Sequence, residues 1–250
     1  MIEIRQLGAG YHEEPVLHDI SFSVPQGKVT TLMGPNGCGK TTLLRTIARQ
    51  LRPRRGEILL EGKPLRAYER KAFARKVAFM PQVRNVPEIT VEALVSHGRF
   101  PYLGFSRRLS ALDHEIIQEA MRQAQVSAWA QRDLRTLSGG ERQRAYLAMA
   151  LAQQTDVILL DEPTTYLDIQ KQFAFLDLVR TLAESGKTVI LVLHDLAQAL
   201  QYSDRVILLD HGTLVANDTP QNVYESGLAA QVFQVQLRRT EDHIFFVCKQ

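Results

Sequence analysis

Gly34-Pro35-Asn36-Gly37-Cys38-Gly39-Lys40-Thr41 decides how the rest of the chain is read. It fits the pattern G-x-x-x-x-G-K-[ST], and it lies between an apolar run, Val29 to Met33, and the helical pattern Thr42-Leu43-Leu44-Arg45-Thr46-Ile47. The glycines let backbone N–H groups close around phosphate oxygens at a helix N-terminus. In such a cradle Lys40 neutralises β and γ phosphates, and the Thr41 hydroxyl holds Mg²⁺. The order strand, glycine-rich turn, helix therefore implies a nucleotide site in an α/β chain, with Gly34 through Thr42 as its expected contacts.

A phosphate cradle alone leaves kinases, GTPases, recombinases and transport ATPases open. Val157-Ile158-Leu159-Leu160 is a short apolar run ending in Asp161-Glu162, the pattern of a buried strand that delivers two carboxylates to the edge of a parallel sheet. Adjacent strand residues point to opposite faces. Asp161 can then serve a metal shell while Glu162, past the strand end, reaches an attacking water.

Leu137-Ser138-Gly139-Gly140-Glu141 precedes a long run of helical periodicity, Arg142 to Leu151. Ser138 and Glu141 satisfy S-x-x-E, a capping box, which taken alone is an ordinary helix start. The two glycines also leave the first N–H groups open to an anion. Together with the cradle and Asp161-Glu162, this segment resembles the signature of the ATP-binding cassette family, and the resemblance covers nearly the whole chain.

That resemblance implies an ATPase working as a head-to-tail dimer, each ATP lying between the cradle of one copy and Ser138, Gly139, Gly140 and Glu141 of the other. It implies that Tyr11 stacks on adenine, that Gln82 contacts Mg²⁺ and the γ-phosphate, and that His194 is a switch histidine. Thr41, Gln82 and Asp161 would serve the metal, and Glu162, His194, Gln82 and Lys40 the hydrolysis. Local context agrees: Gln82 follows the apolar exit Val77 to Pro81, and His194 follows the apolar run Val189 to Leu193.

With 250 residues and 45% hydrophobic content the chain can bury a sizeable core. No apolar run approaches the roughly 20 residues that cross a bilayer, and Met1-Ile2-Glu3-Ile4-Arg5 has no signal-peptide pattern. A cytoplasmic protein is expected, at the membrane face only through a partner. The two cysteines, Cys38 and Cys248, make no disulfide framework and lack metal-ligand spacing. A net charge of +3 is too small to argue for nucleic acid, and the basic clusters Arg49 to Arg55 and Arg66 to Lys76 read as solvated faces.

Period-2 stretches at Ile2 to Leu7, Ser21 to Val24, Gly56 to Gly62 and Arg205 to Val215 predict an antiparallel β patch beside the parallel α/β core. Between them the pattern turns helical: Thr90 to His97, then Ala111 to Gln125, with Trp129 as a core anchor. The expected organisation is one cassette, 1–82 and 138–250 as P-loop core with its β subdomain and 83–137 as an inserted helical subdomain. A last helix is expected around Pro220 to Ser226, followed by a short ending.

A separate membrane permease fits a chain with one cassette and no membrane segment. An aromatic at Tyr166 before Leu167-Asp168 resembles importers of iron-siderophore complexes, haem and cobalamin, as does the stretch Val91 to Tyr102 with its Arg99-Phe100-Pro101-Tyr102. That resemblance implies an extracytoplasmic solute-binding protein as an indirect partner. Importers of other solutes, or a soluble cassette ATPase of iron-sulfur assembly, remain the alternatives.

Overall fold

Ile2, Ile4 and Leu7 are buried while Arg5 is exposed, the alternation of a strand with one wet face. The alternation slips at Gln6, where φ is 46° and the pairing register shifts, a bulge that lets the strand continue past Leu7. The computed structural model describes residues 1–12, 14–82, 85–104, 108–165, 167–239 and 244–248, and its two compact units are Met1–Tyr68 with Arg180–Gln250, and Glu69–Val179. Tyr166 lies outside the described residues.

In the first unit, β1 (Ile2–Tyr11) pairs antiparallel with β2 (Glu14–Val24) and with β4 (Arg55–Leu60), and β5 (Lys63–Pro64) closes the edge. This is the expected β patch with longer strands, but without Arg205 to Val215, whose first strand pairs in parallel with Val29–Met33 instead. All five residues of β3 (Val29–Met33) are buried, as a strand covered on both faces requires. The glycine-rich turn then leads into α1 (Lys40–Ile47).

The second unit begins with α2 (Arg70–Ala74) and β6 (Val77–Met80). Thr90 caps α3 (Val91–Ser96) by accepting the Ala93 N–H at 3.2 Å, and a 3₁₀ turn follows over His97–Tyr102. Ser110 and Asp113 form a capping box on α4 (Ala111–Gln123). α5 (Gly139–Ala152) packs on both α3 and α4. β7 (Val157–Leu160) runs parallel to β6, with Val77 opposite Val157 and Met80 opposite Leu160. Trp129 is not the expected core anchor. It ends a 3₁₀ turn, Ser127–Trp129, that contributes no buried residue, and Ile117, Met121, Val126 and Leu134 fill the helical core instead.

α6 (Ile169–Glu184) returns the chain to the first unit. There β8 (Thr188–Val192) and β9 (Arg205–Asp210) flank β3 in parallel, and β10 (Thr213–Asp218) lies antiparallel to β9. α7 (Leu196–Tyr202) connects β8 to β9, and Thr219 caps α8 (Pro220–Glu225), where Pro220 occupies the first turn. Beyond the expected end come α9 (Leu228–Phe233) and a hairpin of β11 (Val235–Arg239) and β12 (Ile244–Cys248).

Candidate nucleotide site

The first unit carries the cradle. At Gly34, φ is 145° and a Cβ would stand 2.1 Å from the Leu209 carbonyl oxygen, so a side chain is excluded where β3 turns beside β9. Gly39, at φ 102°, is the N-cap of α1; a Cβ there would meet Leu17 Cδ2 at 2.5 Å. No side chain caps α1 and its first turn has no acid, so the positive end of its dipole faces the loop.

Lys40 is only 5% exposed, and its Nζ donates to the carbonyls of Gly34 at 2.7 Å and Pro35 at 2.9 Å. An ammonium is thereby fixed inside the turn formed by Gly34 to Gly39. Cys38 is buried against it, and burial pushes its thiol above the usual range. Thr41 is half-buried and Thr42 buried on α1.

Tyr11 ends β1 at 40% exposure, an open ring face, and its hydroxyl accepts from Arg45 Nη1 of α1 at 3.4 Å. His194 is exposed just past the buried end of β8. Asp195 beside it caps α7, its Oδ1 accepting the Gln198 N–H at 2.8 Å, which fixes the chain direction at His194.

The second unit carries the carboxylates. Because β6 and β7 are parallel and in register, Gln82 and Asp161-Glu162 leave the sheet at the same edge. Gln82 Nε2 donates to Glu162 Oε2 at 2.8 Å, a contact the sequence reading did not anticipate. Asp161 is 1% exposed. Glu162 adopts φ 52°, a left-handed backbone that glutamate rarely takes and that costs on the order of 1–3 kcal/mol. Such strain persists where it aims a side chain.

Thr165 is a member that sequence reasoning missed: its hydroxyl donates to the same Glu162 oxygen at 3.3 Å. A hydroxyl three residues after a carboxylate was the available signal.

At α5 the capping box forms as the S-x-x-E spacing predicts. Glu141 Oε2 accepts the Ser138 N–H at 2.7 Å and Ser138 Oγ accepts the Glu141 N–H at 3.4 Å; the Ser138 N–H and then its hydroxyl hold the Glu141 carboxyl below its ordinary range. The N–H groups of Gly139 and Gly140 lie outside the box. A Cβ on Gly140 would meet Lys171 Cδ at 2.8 Å, so the helix end and α6 approach through that glycine.

The chain thus carries a glycine-rich turn with a buried lysine at α1 and a carboxylate held by two neighbours, Gln82 and Thr165. Residues 17–165 match the family described as ABC transporter. The petrobactin import ATP-binding protein FpuD of Bacillus anthracis is 40% identical over 98% of this chain and 90% of its own length. The iron(3+)-hydroxamate import ATP-binding protein FhuC of Bacillus subtilis (strain 168) is 41% identical over 96% of this chain and 90% of its own.

Among solved structures, dimeric MJ0796, a bacterial ABC transporter cassette, superposes with a TM-score of 0.78 at 28% identity, covering 88% of this chain and 99% of that one. Its post-hydrolysis dimer, bound to ADP and Pi, gives the same TM-score at 27% identity and the same coverage. Matched by the family model over more than half its length and by relatives along nearly their full length, the chain belongs to the ABC transporter family as an ATP-hydrolysing subunit.

Proposed function

We propose that the chain powers an importer of iron chelates, as a head-to-tail dimer on the cytoplasmic face of the membrane beneath separate permease subunits. Relatives named for petrobactin and iron-hydroxamate import, at about 40% identity, support the substrate class. Among the described residues no helix is long and apolar enough to cross a membrane, so the permease is a separate partner on this reading. An extracytoplasmic binding protein would deliver the chelate. Residues 83–137 are proposed as the helical subdomain of the cassette.

Lys40 and the N–H groups of Gly37 to Thr41 bind the β and γ phosphates, and Tyr11 stacks on adenine. Thr41, Gln82 and Asp161 are hard oxygen donors of the kind Mg²⁺ selects, and with Gln82 donating its amide N–H to Glu162 its carbonyl oxygen is the end left for a metal. Bound there, the ion neutralises phosphate charge during transfer. Glu162 takes the proton of the attacking water, and His194 contacts the γ-phosphate. Ser138, Gly139 and Gly140 of a second copy complete the phosphate shell. The observation that carries the hydrolytic role is the Glu162 carboxylate, set by a left-handed backbone and held by Gln82 and Thr165.

The test is reconstitution with its permease and binding protein in liposomes, followed by phosphate release with ferric siderophores, haem or a corrinoid outside. A ferric siderophore is expected to raise ATP hydrolysis. Stimulation by an unrelated solute, with none from iron chelates, would overturn the assignment.

A further inference from the structure

Arg99 is 3% exposed, an unusual position for the most strongly basic side chain, and all its contacts lie within the second unit. Its Nε donates to Asp113 Oδ1 at 2.8 Å; its Nη1 donates to the Ala152 carbonyl at 2.8 Å and to Gln154 Oε1 at 3.1 Å. The guanidinium also lies 4.0 Å from the centre of the Tyr102 ring, whose hydroxyl donates to the Gln153 carbonyl at 2.9 Å. Arg99 and Tyr102 therefore cover the C-terminal carbonyls of α5.

That helix has no basic residue of its own in its last turn, so Arg99 supplies the cation its dipole favours there. Asp113 is itself anchored at the head of α4 by the Ser110 hydroxyl at 2.6 Å and the Ser110 N–H at 2.9 Å. Gly98 makes the close approach possible, since a Cβ there would stand 2.3 Å from the Met149 carbonyl oxygen.

What this clasp restrains follows from the helix it holds. Gln143, Tyr146 and Leu147 pack nearer the middle of α5, while toward its C-terminal end it buries only Ala148, Ala150 and Ala152, small side chains that offer little interlocking where Arg99 covers it. Its other end is Ser138, and a helix of 14 residues, about 21 Å long, passes an axial shift from one end to the other.

We propose that Arg99 is a positioning residue of the ATPase, fixing the axial position of α5 and through it the placement of Ser138, Gly139 and Gly140. The inference rests on the reading of Ser138 as part of the phosphate shell. Arg99 touches no nucleotide; it acts through α5.

The experiment is a double-mutant cycle in the full chain, with Arg99→Ala, Ser138→Ala and the pair, reading ATP affinity and kcat separately. Each single change is expected to lower kcat about tenfold while ATP affinity, set at the cradle, stays within about twofold. The pair should be no slower than the slower single variant, because both changes damage one function. Arg99→Lys keeps the charge but loses the planar fork, and should recover part of kcat; it carries the same cycle if Arg99→Ala does not fold. Multiplying losses in the pair, with Ser138→Ala harmful by itself, overturn the role of Arg99 alone. A harmless Ser138→Ala overturns the reading of Ser138 and the inference with it.

Discussion

Replacing Glu162 with glutamine isolates the carboxylate's chemistry from its place in the fold. The amide keeps one oxygen to accept from Gln82 Nε2, now at 2.8 Å, and it is no less able than glutamate to occupy φ 52°. What disappears is the charge and the capacity to take a proton. A positioned base contributes roughly 10²–10⁴-fold, so the barrier should rise by about 2.7–5.5 kcal/mol at 1.36 kcal/mol per decade. The substitution leaves the sequence of the binding groups Lys40 and Thr41, which belong to the other unit, unchanged. Phosphate release at saturating ATP should therefore fall by that factor, nucleotide affinity should be preserved, and ATP should drive the variant into a long-lived dimer visible by sedimentation. Glu162→Ala separates the alternatives. If the carboxylate merely anchored Gln82, glutamine would restore turnover and alanine would not; near-normal hydrolysis by Glu162→Gln would refute the role of base.

Two further changes test the cradle and the helical core. Gly34→Ala forces a Cβ to 2.1 Å from the Leu209 carbonyl oxygen, whereas Gly37→Ala, at φ 80°, meets nothing within 4 Å and bears only backbone strain of about 1–2 kcal/mol. Thermal unfolding should show the first far more destabilised than the second, and equal losses would contradict the packing at Gly34. The Asp113 carboxyl is held at about 2 by the hydroxyl and N–H of Ser110 and then by Arg99. Its folded value lies below its unfolded one, so its contribution is complete above about pH 4 and lost as pH falls toward 2. The stability gap between wild type and Asp113→Asn, from urea melts at pH 5, 4 and 3, should narrow with acid; a constant gap would remove the carboxylate from that role.

The parts that sequence made legible are those whose chemistry constrains spacing. Glycines at 34, 37 and 39 are demanded by backbone geometry, and the short run Val29 to Met33, rich in β-branched residues and followed by a glycine turn, reads as a buried strand. The strand exits at Gln82 and Asp161-Glu162 were legible as apolar runs ending in polar residues, but the Gln82 to Glu162 hydrogen bond was not, because it needs the parallel pairing of β6 and β7. Less legible was whatever depends on context several residues away. Arg99 is one arginine among many in the sequence, and its burial is explained only by partners brought together in the fold, Asp113, the Ala152 carbonyl, Gln154 and the Tyr102 ring. Trp129 looks like core by its size, yet a 3₁₀ turn between helices leaves it half-buried. The left-handed Glu162 has no sequence marker, because strained backbone is bought by surrounding structure rather than by the residue itself.

The two helix N-termini singled out by the sequence turn out to be built on opposite electrostatic plans, and the difference bears on why hydrolysis would wait for a second copy. α1 has no side-chain cap, no acid in its first turn, and a buried first residue, Lys40, whose ammonium reaches back into the preceding loop, so it offers net positive charge to a polyphosphate. α5 is capped by Ser138 and carries Glu141 in its first turn, held ionised by the capping box. That carboxylate offsets the helix dipole, leaving the Gly139 and Gly140 N–H groups as directional donors with little net charge behind them. ATP would accordingly bind at α1 first and be grasped at α5 second. A few hydrogen bonds to a charged phosphate, each worth about 1.5–3 kcal/mol, suffice to close a dimer while the γ-phosphate is present. Once it has left, the acid beside those donors gives the closed state nothing to hold.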